Sequence, residues 1–388
     1  MTDQNLLSAE VEVTAYLDCN ATTPLDPEVK AVLLRYLEEE YGNAGSRTHE
    51  YGARALQAVQ KAREQVAAVV GAKRDEVVFT SGATEANNLA ILGLAPHGEM
   101  TGRRHLVSTA IEHKAVLEPL ALLKNKGFEV TLVSPTRGGW VEPAAIRGAL
   151  RPDTLLVSVM HVNNETGVQQ PIDAICRELA EHPAYLHVDA AQGFGKELVA
   201  LRNSRVDLIS VSGHKLFAPK GVGALIVRRR GSERVLLTPL MVGGGQERGI
   251  RPGTLPVPLV AALGAAAELA VKRYADRQQR VMQLHKEALG AFLPLGIKRH
   301  GDSSQALPHV LNISFPGVDS EAVMVAWKGL AAVSNGAACT SHSYTLSYVL
   351  EAMQIPEDEL RSSVRISWSH LTENVPWTAM AEAALRLM

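Results

Sequence analysis

Apolar residues along this chain fall in short blocks, and most blocks end abruptly on a polar or glycine-rich cluster. The continuous runs at 77–80, 106–108, 128–133, 154–160, 185–188, 206–211 and 221–227 have the length of buried strands. Between them the period lengthens to that of a helix. The stretch 50–70 sets Ala55, Val59, Val66 and Val70 on one side and stops at Gly71, and further helices are predicted from 27, over 113–126 and over 144–150. Strand and helix in alternation predict parallel βαβ units. The pattern then changes. An Ala- and Leu-rich helical segment over 257–293, expected to be broken or bent, is followed by a strand at 310–315, a helix at 320–327, a strand at 363–367 and a closing helix at 378–388. The expected fold class is therefore α/β. A mostly parallel central sheet lies in a large domain over 16–255, and a smaller α/β domain spans 256–388 together with 1–15.

In parallel sheets, ligands gather at the carboxyl ends of the strands, so the residues that close each apolar run carry the chemistry. They form a consistent set: Glu112-His113-Lys114, His161-Val162-Asn163-Asn164-Glu165, Asp189-Ala190-Ala191-Gln192 and Ser212-Gly213-His214-Lys215. Each has a plain alternative, since His113 and Asp189 can cap helices, Asn163 and Asn164 can form a turn, and Lys215 can flank a strand in water. Acid, amide, imidazole and amine at successive strand ends are costly to order unless they meet one ligand. An amine at the end of a buried strand can lose solvation, fall in pKa and form a Schiff base with a carbonyl, which is how a pyridoxal cofactor is held. Ser81-Gly82-Ala83-Thr84, between the run 77–80 and a helix, is a phosphate-cradle candidate, because a helix N-terminus leaves N–H groups unpaired and carries partial positive charge. The alternative is an ordinary cap by Ser81 or Thr84.

Three cysteines, Cys19, Cys176 and Cys339, show no C-x-x-C pairing, so neither a disulfide framework nor a thiolate metal site is expected. Cys176 shares a helical face with Ile172, Ile175 and Leu179 and reads as buried. Cys339 lies in 332–344, a small, polar, aperiodic stretch that reads as a movable loop, and is the candidate nucleophile. The formal charge of −2 gives no field suited to nucleic acid or an anionic membrane, and no run is apolar and long enough to span a bilayer. The polar, acidic start lacks an apolar signal region, so a cytoplasmic protein is expected.

Taken together, these motifs resemble the group I cysteine desulfurases, pyridoxal-phosphate enzymes of fold type I in the class V aminotransferase superfamily. The resemblance runs from Tyr16-Leu17-Asp18 and Ala21-Thr22-Thr23-Pro24, through the motifs above and Glu247-Arg248-Gly249 with Gly253-Thr254, to Ala338-Cys339-Thr340-Ser341 and Arg365. It implies that Lys215 holds pyridoxal 5'-phosphate as a Schiff base and that Asp189 pairs with the pyridinium nitrogen. His113 stacks on the ring and moves protons, and Gln192 bonds the phenolic oxygen. Ala83, Thr84, Ser212 and His214 hold the phosphate, with Thr254 reaching it from the second subunit of a homodimer. Asn164 and Arg365 take the substrate carboxylate, with Asn20 near the same pocket.

The implied reaction converts L-cysteine to L-alanine and leaves a persulfide on Cys339, with His113 or His342 helping to form the thiolate. The sulfur then passes to an acceptor protein in iron–sulfur assembly, tRNA thiolation or DNA phosphorothioation. The alternative is a class V aminotransferase or lyase that shares Lys215 and Asp189 and has no need of Cys339. The family more often has serines at Asn335 and Ala337 and Asn or Tyr at Cys19, and some members extend past the position of Met388 to dock a scaffold. The opening Leu17-Asp18-Cys19-Asn20-Ala21-Thr22-Thr23-Pro24 resembles the DNA-phosphorothioation branch.

Overall fold

Seven of the apolar runs pair into one sheet, in the order Val77–Thr80, Gly223–Val227, Leu208–Ser212, Tyr185–Asp189, Thr154–Met160, His105–Thr109 and Glu129–Val133. The computed structural model describes residues 14–335 and 346–388. Adjacent strands are parallel except at Gly223–Val227, which runs antiparallel to both neighbours. The chain between Ser212 and Gly223 explains that reversal, because a parallel return needs a crossover of a dozen or more residues and this connection is shorter. The Thr154–Met160 and Leu208–Ser212 strands are buried along their whole length, and Tyr185–Asp189 is buried from Leu186 on, as expected where helices cover both faces.

The helix Glu50–Val70 ends on Gly71 in the left-handed conformation, as its sequence predicts. It packs against Val257–Lys272 so closely that a Cβ at Gly264 would stand 2.6 Å from the Cα of Ala62. The expected break in 257–293 falls at Arg273, where Val257–Lys272 gives way to Tyr274–Phe292. The first of these helices buries its apolar face in the core of the seven-stranded sheet, and the second packs into a separate core.

That second core lies on an antiparallel sheet of Lys298–Arg299, Val310–Ser314 and Ser363–Ser367. It is built on aromatic rings: Phe292 stands 5.6 Å from Trp327 and 6.0 Å from Phe315, centroid to centroid. The Trp327 indole N–H donates to the Met380 carbonyl at 2.8 Å, so this buried polar atom is satisfied. The short helices Ala95–Thr101, Tyr348–Ala352 and Glu357–Arg361 have too few turns to leave a periodic signature in the sequence.

The segment near the chain start ties the two parts together over the strand ends. Ala15–Tyr16 pairs in parallel with Ala331–Ala332, the Cys19 amide donates to the Ser367 carbonyl at 3.1 Å, and the Thr23 amide donates to the His214 carbonyl at 2.9 Å. Residues 18–23 are thereby stretched between the Ser363–Ser367 strand and the turn that carries Lys215.

Candidate active site

The strand-end clusters converge on a single cavity of about 560 Å³ at the carboxyl edge of the large sheet, a size suited to a cofactor with its substrate. Lys215, His113, Asp189, Gln192, Asn164, Ala83, Thr84, Ser212, His214, Asn20 and Arg365 all line it.

Lys215 ends a single helical turn, Gly213–Lys215, that follows the Leu208–Ser212 strand. Its Nζ donates to the carbonyl of Ala21 at 2.6 Å and to that of Asn20. The amine is thus held by backbone acceptors. Asp189 ends the neighbouring strand and is 5 % exposed. Its Oδ2 accepts from the Asn87 amide at 2.7 Å and its Oδ1 from the Ala191 N–H at 2.9 Å, so the carboxylate is oriented by two donors. His113 does cap the helix Lys114–Asn125, and it lines the cavity as well. Its Nδ1 accepts from the Ala115 N–H at 3.0 Å, which places the proton of the neutral ring on Nε2. Burial pulls the His113 pKa down, Asp189 opposes this, and Lys215 and Lys114 add to the lowering.

The cradle is formed by the N-terminus of the helix Ala83–Leu92. Neither Ser81 nor Thr84 caps it by a side chain. Instead the Ser81 N–H donates to Glu85 at 2.6 Å, and Glu85 pairs with Arg251 at 2.7 Å. The strand Gly223–Val227 passes directly behind, so close that a Cβ at Gly223 would lie 2.6 Å from the Cα of Gly82. His214, beside the cradle, bonds Thr22 Oγ1 at 3.2 Å. Its pKa is pushed down to about 4 by burial and then by Lys215, Lys220 and Lys196, so the ring is neutral at ordinary pH.

The opposite corner is cationic. Arg365, on the small sheet and 2 % exposed, donates to Asp18 Oδ1 at 2.8 Å and to the Asn164 carbonyl at 3.1 Å. Asn20 donates to the same carbonyl at 3.0 Å. Arg365 Nε and the Oδ1 atoms of Asn20 and Asn164 are buried and have no hydrogen-bond partner among the described residues. Buried polar atoms are nearly always paired, so this corner is built for a ligand that supplies both acceptors and donors.

A family model described as aminotransferase class-V matches residues 15–374. The chain belongs to the aminotransferase class-V family. Within it, the chain is 47 % identical over 357 residues to a protein named cysteine desulfurase IscS from Anaeromyxobacter dehalogenans, covering 92 % of this chain and 87 % of that one. The crystal structure of DndA from Streptomyces lividans is similar with a TM-score of 0.80 and 50 % identity, over 91 % of this chain and 99 % of that one. The structure titled SspA in complex with cysteine is similar with a TM-score of 0.80 and 35 % identity, over 93 % and 100 %.

One expected site residue of this class-V family member stands apart. Thr254 does not line the cavity and is exposed on this chain. Cys339, with His342, lies outside the described residues. Three further contributors escape the strand-end rule. Asn87 lies one helical turn past Ala83 and faces the same side, a period that could have revealed it. Asp18 is held by its pairing to Arg365, a contact between distant segments, and Lys196 reaches Gln192 around a tight turn. No group of three or more His, Cys, Asp or Glu suited to a metal occurs among the described residues, and no helix among them is long and apolar enough to cross a membrane.

Proposed function

We infer that this chain is a pyridoxal-phosphate-dependent cysteine desulfurase: it takes L-cysteine, releases L-alanine and leaves the sulfur as a persulfide on Cys339. The substrate's carbon–sulfur bond breaks, a sulfur–sulfur bond forms at Cys339, and a proton returns to carbon, so no outside oxidant or reductant is needed. The observation that carries this reading is that Lys215, Asp189 and Arg365 face one cavity, with a helix N-terminus at one end and, at the other, Arg365 Nε and the Oδ1 atoms of Asn20 and Asn164 without partners among the described residues.

The residues present fit the cofactor. The backbone at 82–84 can accept a phosphate, and Gly223 keeps space for that backbone. Asp189, held by two donors, presents a carboxylate to a pyridinium nitrogen. Gln192 would donate to a phenolic oxygen, and His113 would cover the ring. When bound, pyridoxal phosphate supplies an electron-withdrawing ring that weakens bonds at the substrate's alpha carbon. Lys215 would hold the cofactor, and its Nζ would be the group that moves protons. Arg365 and Asn164 bind the substrate carboxylate, the guanidinium by a two-point fork, with Asn20 beside them.

Thr254 serves the phosphate of the partner subunit in a cytoplasmic homodimer, a reading supported by its exposure and by the exposed apolar residues upstream of it, Leu236, Leu240, Met241 and Val242, the last 93 % exposed. The acceptor of the sulfur belongs to iron–sulfur assembly, tRNA thiolation or DNA phosphorothioation.

The test is mass spectrometry of the cofactor-loaded protein after exposure to L-cysteine without added thiol. One additional sulfur atom on the Cys339 peptide, absent in Cys339→Ser, is expected. Alanine produced at an undiminished rate by Cys339→Ser, with no sulfur adduct on the wild type, overturns the persulfide reading.

A further inference from the structure

Gln192 is buried, and its side-chain amide makes contacts on both sides. The Nε2 group donates to the Asn20 carbonyl at 2.8 Å, while Oε1 accepts from Lys196 Nζ at 3.3 Å. A carboxamide can turn over and exchange its donor for its acceptor at little cost in shape. What fixes it is the chemistry of its neighbours. An ammonium has three donors and no acceptor, so the atom that faces Lys196 must be Oε1, and a flipped amide would set its NH2 group against the ammonium. Asn20 favours the same orientation from the other side, but its carbonyl also takes the Lys215 amine. With Oε1 on Lys196 and one amide hydrogen on Asn20, the second hydrogen of Nε2 is left for the cavity.

We propose that Lys196 is a positioning residue, which locks the Gln192 amide with its NH2 group turned toward the cofactor's phenolic oxygen. This deepens the role given to Gln192 under the proposed function and rests on it. Lys196 is itself set by the fold. Gly195, left-handed at φ 74°, turns the chain back, and Gln278 holds the Lys196 carbonyl at 2.9 Å. The side chain forms part of the wall of a second, small cavity of about 40 Å³ that it shares with Arg277, His309 and Trp368. It therefore reaches Gln192 from behind and makes no claim on the space in front. Burial, with help from Lys215, brings the Lys196 pKa down to about 7, so Lys196 is the donor-only ammonium that fixes the amide below about pH 7.

A donor to the phenolic oxygen withdraws negative charge from it, so the proton that oxygen shares with the Lys215 nitrogen is held less tightly. The readout is the midpoint pH of the visible absorbance band of the pyridoxal-phosphate-loaded protein. Lys196→Met is expected to raise that midpoint by about 1 pH unit, the size of one hydrogen bond. Lys196→Arg, which keeps a donor-only cation, is expected to restore it. In a Gln192→Ala background, Lys196→Met is expected to add no further shift, because residues acting through one contact are not additive. A wild-type midpoint in Lys196→Met overturns the proposal. So does an equal shift in the Gln192→Ala background, which would mean that Lys196 acts by its charge alone. If Gln192→Ala by itself leaves the midpoint unmoved, the reading of Gln192 is wrong, and this inference falls with it.

Discussion

Asn87 donates its side-chain amide to Asp189 at 2.7 Å, from the same helix whose N-terminus forms the cradle. The phosphate end and the ring end of the cavity are therefore set by one rigid element. Asp189→Asn keeps the shape and removes the charge, and its rate of alanine release is expected to fall on the order of 10³-fold. Asn87→Ala removes one donor to that carboxylate and is expected to cost about tenfold. Steady-state rates at saturating L-cysteine decide both, and near-wild-type activity in Asp189→Asn would remove the carboxylate from the mechanism.

Arg365 meets Asp18 on one nitrogen and the Asn164 carbonyl on another, with Nε unsatisfied among the described residues. Lysine keeps the charge and loses the planar fork. Arg365→Lys is expected to raise KM for L-cysteine by about 10- to 100-fold, with a smaller effect on kcat. An unchanged KM would place the substrate carboxylate elsewhere.

Glu112 is wholly buried beside His113. Its Oε1 accepts from Thr109 at 2.6 Å and from the Met160 N–H at 2.8 Å, and burial pushes its pKa up to about 8. The folded state then holds a proton that the unfolded state has released above its ordinary range near 4.5. Stability contributed by this group is present at low pH and is lost as pH rises toward about 8, with no further loss above it. Thermal melting should show wild type losing Tm between pH 5 and 8 more steeply than Glu112→Gln, whose amide oxygen can accept the same two bonds. Parallel curves for the two proteins would exclude Glu112 as the source.

At Gly223 an added methyl would lie 2.3 Å from the Val211 carbonyl and 2.6 Å from the Cα of Gly82. Gly223→Ala must push either its own strand or the cradle aside, at about 1 to 3 kcal/mol. Weaker retention of pyridoxal phosphate on dialysis, together with a lower Tm, is the expected result. A fall in Tm with cofactor retention intact would show that the cradle does not move.

Much of this site was legible because parallel sheets place ligands at strand ends. That rule alone picks out the clusters that hold Asn164 and Asp189 and the turn from Ser212 to Lys215 from punctuation in the sequence. It also misleads in one place: Asn163 and Asn164 look alike, yet Asn163 Oδ1 is taken by the amides of Glu165 and Thr166 in a local turn, while Asn164 faces the cavity. Contacts between distant segments leave no local mark, which is why the pairing of Asp18 with Arg365 was invisible. The reversed direction of Gly223–Val227 could have been inferred from the short connection before it. The Gln192–Lys196 contact arises from a tight turn, where neither the helical nor the strand period applies.

The strand that carries Arg365 also bonds Ser334 through its backbone, with the Arg365 N–H donating to the Ser334 carbonyl at 2.6 Å. Cys339 follows Ser334 by five residues, a tether whose fully stretched length is about 17 Å. Under the proposed function, a sulfur recipient would meet Cys339 within that length of the Ser334 anchor, so the anchor on the Arg365 strand limits where such a partner can dock.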